Sequence, residues 1–594
     1  MKLNDLIQVA VFFGLLIGLA PWLGRFLARV FSGESTFLHP VLRPVERLIY
    51  RLSGVAADEE MSWKRYLGAL LIFNFIGFLS LWLMQMTQAW LPLNPQKFDN
   101  VPWALALNTA ISFTTNTNWQ AYAGESTMSY FTQMVGLAVH NFTSAATGLA
   151  VLLAITRAIK RSSTRFIGNF WVDLTRSTLY VLLPLSIVVA GALISQGVVQ
   201  NFRSYADASL VEPYTTQVQK TDANGNAVNG PDGKPVMADQ RVDTQAIPGG
   251  PAASQIAIKQ LGTNGGGFFG QNSAHPFENP TPLCNFVEML SILLLPAALV
   301  YMFGAMTSNL RHARVLFSVM LLLLVVGFAV AWWAETRPNP VMGGSVSVLM
   351  EGKEQRFGVM NSVLWGTATT CTSNGSVNAM HDSFTPLAGF VMLTNLMLGC
   401  IAFGGVGVGL TGFLMHVLLT VFIAGLMIGR TPEYMGKKIQ QWEATWAIIA
   451  VLVPSVAILA GAAVACRLPA GLSSLNNAGP HGLSEILYAY GSAAANNGSA
   501  FAGLNANTLF YNLTLGLTML LGRFVPITAV LAIAGGLAAK KTVPPSGGTL
   551  PTDGLIFGCA LLGVVVIVAA LTFFPALCMG PIVEHGLMLA GRVF

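Results

Sequence analysis

The chain has 594 residues, of which 53% are hydrophobic and only 10% charged, and its mean hydropathy is +0.60. So little charge excludes a disordered chain or a water-soluble globular one and describes a polytopic helical membrane protein. The net charge of +6 does not point to nucleic acid, because the basic residues cluster in short segments beside apolar runs. The six cysteines (Cys284, Cys371, Cys400, Cys466, Cys559 and Cys578) lie mostly in or next to apolar segments without a CxxC spacing, so neither a metal centre nor a disulfide framework is expected.

A helix needs about 20 apolar residues to cross a bilayer. In chain order the predicted spans are 6–28, 66–88, 130–153, 178–199, 283–306, 315–334, 387–408, 443–466, 504–522 and 554–577. The first has no small-residue cleavage site and reads as a retained helix. The segments 25–65, 154–177, 307–314, 430–442 and 523–550 hold 20 of the 32 Lys and Arg, which predicts a cytoplasmic side there and both termini external. A further apolar run, 412–429, could be an eleventh span, which would move the fourth polar loop inside; because it follows Gly404-Gly405-Val406-Gly407-Val408-Gly409, a broken helix that re-enters the membrane is expected instead, and the plainer reading of those glycines is a close helix crossing.

Four polar tetrapeptides interrupt this pattern: Thr115-Asn116-Thr117-Asn118, Thr263-Asn264-Gly265-Gly266, Ser373-Asn374-Gly375-Ser376 and Asn496-Asn497-Gly498-Ser499. All four fall on the external side. Each follows a short semi-apolar segment (near Trp103–Phe113, Pro251–Leu261, Phe357–Thr370 and Gly482–Ala494) too short to cross, and each lies between two spans. The expected fold is therefore all-α, with about ten transmembrane helices, four pseudosymmetric helix–pore loop–helix repeats and an extra first and last span. The predicted division is 1–64 (span and loop), 65–155, 177–308 (with a hydrophilic insert at 200–250), 314–430 (with a broken second helix) and 441–540 for the repeats, then 550–594.

Gly and Asn accept the backbone angles that aim successive carbonyls at one axis, and Thr and Ser add hydroxyls. No acidic residue lies in the four tetrapeptides. A carbonyl filter for a monovalent cation fits better than a carboxylate ring, and an inward-running pore helix would aim its negative end at the ion. A single such loop would read as an ordinary turn; four at matching places do not.

TNTNWQAYAGE (115–125), GTNGGGFFGQNSAHPFENPTP (262–282), SNGSVNAMHDS (373–383), NNGSAFAGL (496–504), GGVGVGL (404–410) and GRTPEYMGKKI (429–439) together resemble the channel-like A subunit of the bacterial Kdp potassium-transporting ATPase. The resemblance spans nearly the whole chain. It implies a relative of the Trk, Ktr and HKT potassium transporters, in the bacterial inner membrane. It further implies that the chain selects K+ and passes it through an intramembrane tunnel to a P-type ATPase subunit (KdpB), beside a single-span subunit (KdpC) and a small subunit (KdpF). ATP and Mg2+ would then be used by the partner, consistent with the lack of a DKTGT or GxxxxGK[ST] motif here. The chain itself is expected to be non-catalytic, with no bound cofactor and K+ as its cargo. Where the family commonly has an acidic residue before the GGVG stretch, this chain has Leu398-Gly399-Cys400-Ile401.

By the same resemblance Gln120 helps set K+ affinity; otherwise it is a capping amide at the mouth. Arg523 closes the apolar run 504–522 and is either a membrane-interface anchor or a barrier beneath the filter. His275, Glu278, His381 and Asp382 follow the second and third loops and either attract cations or pack between repeats. His140-Asn141 has no Ser or Asp placed to make a hydrolase site. The competing functions are a Trk/Ktr-like transporter without an ATPase partner, which purification of the complex would distinguish, and a scaffold with degenerate loops, which K+ binding would exclude.

Overall fold

The computed structural model describes residues 3–219, 237–342, 349–427, 429, 431–544 and 549–593. Parts of three sequence assignments lie outside them: the middle of the 200–250 insert, Arg430, and residues 545–548 of the last basic segment.

Among the described residues ten helices are long and apolar enough to cross a membrane. Each repeat is a long helix, a short helix, a polar strand and a second long helix. Repeat one uses Trp63–Met86, Trp103–Thr114 and Thr132–Lys160; repeat two uses Phe170–Ser195, Ala252–Leu261 and Pro282–Met306. Repeat three uses Leu310–Glu335, Gly358–Cys371 and a divided second helix; repeat four uses Gln441–Arg467, Gly479–Ala494 and Leu509–Ala539. Leu3–Phe31 packs against Pro282–Met306, and Leu555–Leu577 follows the repeats. The four short helices run 10 to 16 residues, about 15–24 Å, and so stop inside a 30 Å hydrocarbon layer. The second helices of repeats one and two form the centre: their apolar windows are 83% and 72% buried in protein, against 22% for the first and last spans and 17% for Trp63–Met86, which lie at the periphery. Thr281 and Thr508 start the second helices of repeats two and four, each hydroxyl accepting from the N–H three residues on.

Within the described part of the 200–250 insert two strands, Ala206–Gln219 and Met237–Ile247, pair antiparallel. Its base is tied down where the Tyr205 hydroxyl donates to the Glu125 carbonyl.

Two predicted spans need correction. The stretch 387–408 is not one helix: Pro386–Met397 ends after 12 residues, 398–407 is unwound, and Val408–Met427 completes the crossing. The break thus precedes Val408–Met427, which is by itself long and apolar enough to cross a membrane and is not a short re-entrant appendix. The far end of that helix leads to the Glu433–Tyr434/Lys437–Lys438 hairpin, where Lys437 Nζ donates to the carbonyls of Arg161 and Lys540 at the basic ends of two other spans. Gly399, Cys400, Phe403, Gly404 and Gly407 all have positive φ, a run no helix tolerates, yet the segment is apolar and hydropathy reads straight through it. The second correction concerns 504–522. The helix runs on to Ala539, so Arg523 sits in mid-span and not in a loop.

Candidate functional site

The four loops meet at the centre of the bundle. At each, the short helix ends and the next residues alternate in hand. Asn116, Thr263, Ser373 and Asn496 are left-handed (φ 66°, 48°, 50° and 51°), and so, two residues on, are Asn118, Gly265, Gly375 and Gly498 (55°, 77°, 84° and 97°). The N–H groups of the intervening Thr117, Asn264, Asn374 and Asn497 donate to the carbonyls five residues back, on Ser112, Lys259, Thr369 and Ser492, at 2.8–3.2 Å. Alternating right- and left-handed residues align successive N–H groups on one side of the chain. Here that side is occupied by the helix end.

This pattern moves the first loop by one residue. Pairing the asparagines by letter sets Thr117 opposite the glycines. The backbone sets Asn118 there, Thr117 opposite Asn264, Asn374 and Asn497, and Thr115 at the helix end opposite Gly262. Trp119 is then the counterpart of Gly266, Ser376 and Ser499. Asn is the side chain that best tolerates left-handed backbone, so it can stand in for glycine, and one sequence cannot say which of two asparagines does so.

The strands interlock in a closed ring. A Cβ on Gly265 would lie 1.7 Å from the Asn374 carbonyl oxygen; one on Gly375, 2.0 Å from that of Asn497; one on Gly498, 2.0 Å from that of Thr117. The ring closes from loop one to loop two through Asn116 Nδ2, which donates to the Thr263 carbonyl at 2.8 Å. Ser373 Oγ likewise donates to the Ala495 carbonyl, and Asn496 Nδ2 to Thr117 Oγ1. Asn118, the side chain standing where the others have glycine, turns its amide onto Asn141 Oδ1 at 2.7 Å. Asn141 therefore braces the first loop.

Residues around the ring also fall into place. Gln120 brackets loops one and two: its Oε1 accepts from the Gly267 N–H at 2.8 Å while its Nε2 donates to the Gly267 carbonyl at 3.1 Å. The ring of His275 stacks on Phe269, and His381 bonds the Tyr488 hydroxyl, which meets Ser499 Oγ. Glu278 is buried against Lys259, a partner that sequence reasoning missed because one Lys on a short apolar helix carries no signal. Asp382 accepts from His481 Nε2 at 2.9 Å, and the other ring nitrogen of His481 meets Glu584, which pins the C-terminal helix to the mouth.

Burial works against a charged His481 ring, but the hydrogen bonds to Asp382 and Glu584 outweigh it and raise its pKa to about 10. A raised folded pKa stabilises fully below the unfolded value near 6.5 and loses that contribution as pH climbs through 10. Thermal unfolding followed from pH 6 to 10.5 should show a stability loss on the alkaline side that His481→Gln lacks; parallel curves for the two proteins would contradict the pinning.

Beneath the ring lies a cavity of about 120 Å³, lined by Ser373, Asn496, Gly399, His416, Arg523 and Thr572 among others. Arg523 is 3% exposed, and its guanidinium donates to the Ser144 carbonyl at 2.9 Å. Among the described residues no carboxylate lies within ion-pairing distance of it. Leaving a lone charge in a membrane interior costs several kcal/mol, so such residues mark function. The unwound 398–407 segment forms part of the same floor: the Val406 N–H donates to Thr263 Oγ1 at 2.8 Å, and the Gly404 N–H to the Cys371 carbonyl. Cys400 accepts a long bond from Asn497 Nδ2.

Four short helices whose ends converge on interlocked strands with recurring left-handed backbone mark the centre of a polytopic helical membrane protein. The chain matches the family described as Potassium-transporting ATPase A subunit over residues 10–586, and it belongs to that family. Its relatives include proteins named potassium-transporting ATPase potassium-binding subunit. That of Geotalea uraniireducens is 54% identical, covering 98% of this chain and 99% of its own; that of Pseudomonas syringae pv. tomato is 53% identical, covering 98% of each. Among solved structures, the potassium transporter TrkH from Vibrio parahaemolyticus aligns with 89% of this chain and 98% of its own, at 13% identity and a TM-score of 0.48.

Proposed function

We propose that the chain is the K+-binding, channel-like subunit of an ATP-driven potassium uptake pump in the bacterial inner membrane. The observation that carries this reading is the closed ring of four strands with alternating hand, in a chain whose close relatives are named for K+ binding. External K+ sheds its water among the carbonyls of Thr117, Asn264, Asn374 and Asn497 and their neighbours. It then enters the cavity below, and Arg523 stands against further passage. Thr572 of the last span lines the cavity, on the side where a sideways route would lead to a P-type ATPase partner (KdpB); KdpC and KdpF complete the assembly. ATP and Mg2+ belong to that partner.

Purification through a tag on this chain tests the reading directly. A P-type ATPase should co-purify, with activity stimulated by K+; a complex lacking an ATPase, or one indifferent to K+, would overturn it. Orientation has its own check. A tag in 205–215 should be labelled from outside intact cells and one at 433–440 should not; the reverse pattern would invert the topology.

The one-residue placement of the first loop is also testable. Asn118→Gly should keep K+ affinity within about threefold, because the left-handed site favours glycine. Asn118→Leu should weaken it by about tenfold or more, since left-handed backbone costs a bulky side chain ~1–2 kcal/mol. Titration of K+ into the purified proteins decides; equal affinities for the two variants would refute the assignment.

A further inference from the structure

Behind the second loop lies a buried cluster that has no counterpart at the matching positions of the other three repeats among the described residues. The residue whose carbonyl receives the strand N–H groups is Ser112, Thr369 or Ser492 in repeats one, three and four, but Lys259 in repeat two. Its side chain is fully buried. The ammonium donates to Asn272 Oδ1 at 2.9 Å and Ser273 Oγ at 3.2 Å and is paired with Glu278. Ser273 Oγ in turn meets Glu288 Oε2 at 2.9 Å. The other end of the Asn272 amide, Nδ2, donates to the carbonyl oxygen of Gly265 at 2.7 Å. Among the described residues no side chain donates to the corresponding carbonyls of Asn118, Gly375 or Gly498. The upper ring of the filter is therefore unequal: three carbonyls are free of side-chain donors, and the fourth already accepts a short hydrogen bond.

We propose that Asn272 is a specificity-determining residue which, polarised by Lys259, lowers the pull of the Gly265 carbonyl on the ion. The inference rests on the carbonyl-filter reading above. A cation fixed on the amide oxygen draws electron density toward it and makes the amide N–H a stronger donor, as in other charge-assisted, chained hydrogen bonds. The Gly265 oxygen, accepting from that donor, has less negative charge to offer an ion. A weaker ring repays the dehydration of K+ more easily than that of the smaller, more tightly hydrated Na+. Removing the donor strengthens the ring and relaxes discrimination against Na+. Asn272 touches no ion; it acts through the Gly265 carbonyl, and so its signature is ion preference and not affinity alone.

The test measures Rb+ binding to the purified complex, displaced by K+ or Na+, for wild type, Asn272→Ala, Asn272→Asp and the paired change Lys259→Met with Glu278→Gln. Asn272→Ala should lower the preference for K+ over Na+ by about fivefold, which corresponds to ~1 kcal/mol. Asn272→Asp should lower it further, because a carboxylate oxygen would face the carbonyl. The paired change keeps the amide donor but removes the polarising charge and should fall between wild type and Asn272→Ala; it also serves if an Asn272 variant fails to fold. A uniform loss of affinity for all three ions, or an unchanged preference in every variant, would overturn the proposal. Gly375→Ser is the reference: if it shifts preference and the Asn272 variants do not, only this inference fails, and if it too changes nothing, the filter reading itself fails.

Discussion

Gly265→Ala is expected to abolish tight K+ binding. The added methyl would sit 1.7 Å from the Asn374 carbonyl oxygen and 2.4 Å from the Ser376 nitrogen, both backbone atoms that no rotamer change can move. Its φ of +77° disfavours a side chain as well. Strand two must withdraw from strand three, and at least one carbonyl leaves the axis. A lost contact to a charge is worth ~1.5–3 kcal/mol, so affinity should fall by about 10- to 100-fold, with Rb+ and NH4+ better tolerated. Gly375→Ala and Gly498→Ala meet carbonyl oxygens at 2.0 Å and should behave alike. Gly191→Ala, where nothing lies within 4 Å, is the control and should change nothing. Direct K+ titration of the four purified variants decides. Unchanged affinity and ion preference in all three ring variants would remove these loops from the ion's path.

The second large effect is expected at Arg523. A pure conduit gains nothing from a buried positive charge on the cavity that receives its ions. At about 4 Å and an effective dielectric of 20 a unit charge repels a cation by ~4 kcal/mol, several hundredfold in occupancy. For a pump subunit that barrier blocks a direct leak and leaves the sideways route. Arg523→Gln should lower net K+ uptake per ATP hydrolysed, with K+ binding at the ring little altered, and Arg523→Lys should keep most of the coupling. Uptake and ATPase turnover measured on the same vesicles give the ratio. A wild-type ratio in Arg523→Gln would make the residue a packing element, held by Ser144 and nothing more.

The repeat plan is readable in the sequence because it rests on quantities a sequence carries: apolar length, polar interruption and the clustering of Lys and Arg. What escapes is set by backbone angle or by distant partners. The unwinding at 398–407 is invisible because Ile401, Ala402, Phe403 and Val406 are as apolar as any helix. The misplacement of Arg523 arose because a charge looks like the end of a span, while apolar chain resumes immediately after it through Ala539. The slip of one residue in loop one came from matching letters where hand decides. The resemblance points to Gln120 beside loop one, but no sequence shows that both ends of its amide are committed to Gly267, across the gap to loop two. The Lys259–Glu278 pair joins residues 19 apart through a fold that must exist first.

The closure of the ring also sets a timetable for making it. Asn496 reaches Thr117 across 379 residues, Asn108 reaches the Asn512 carbonyl across 404, and Arg523 reaches Ser144 across 379. Contacts so distant form late, after the costly loop between them is closed. During synthesis three loops enter the bilayer before the fourth exists, and none of them can enclose an ion alone. A nascent or truncated chain therefore holds no closed ring, and Arg523 arrives in the same helix hairpin as the last wall of that ring.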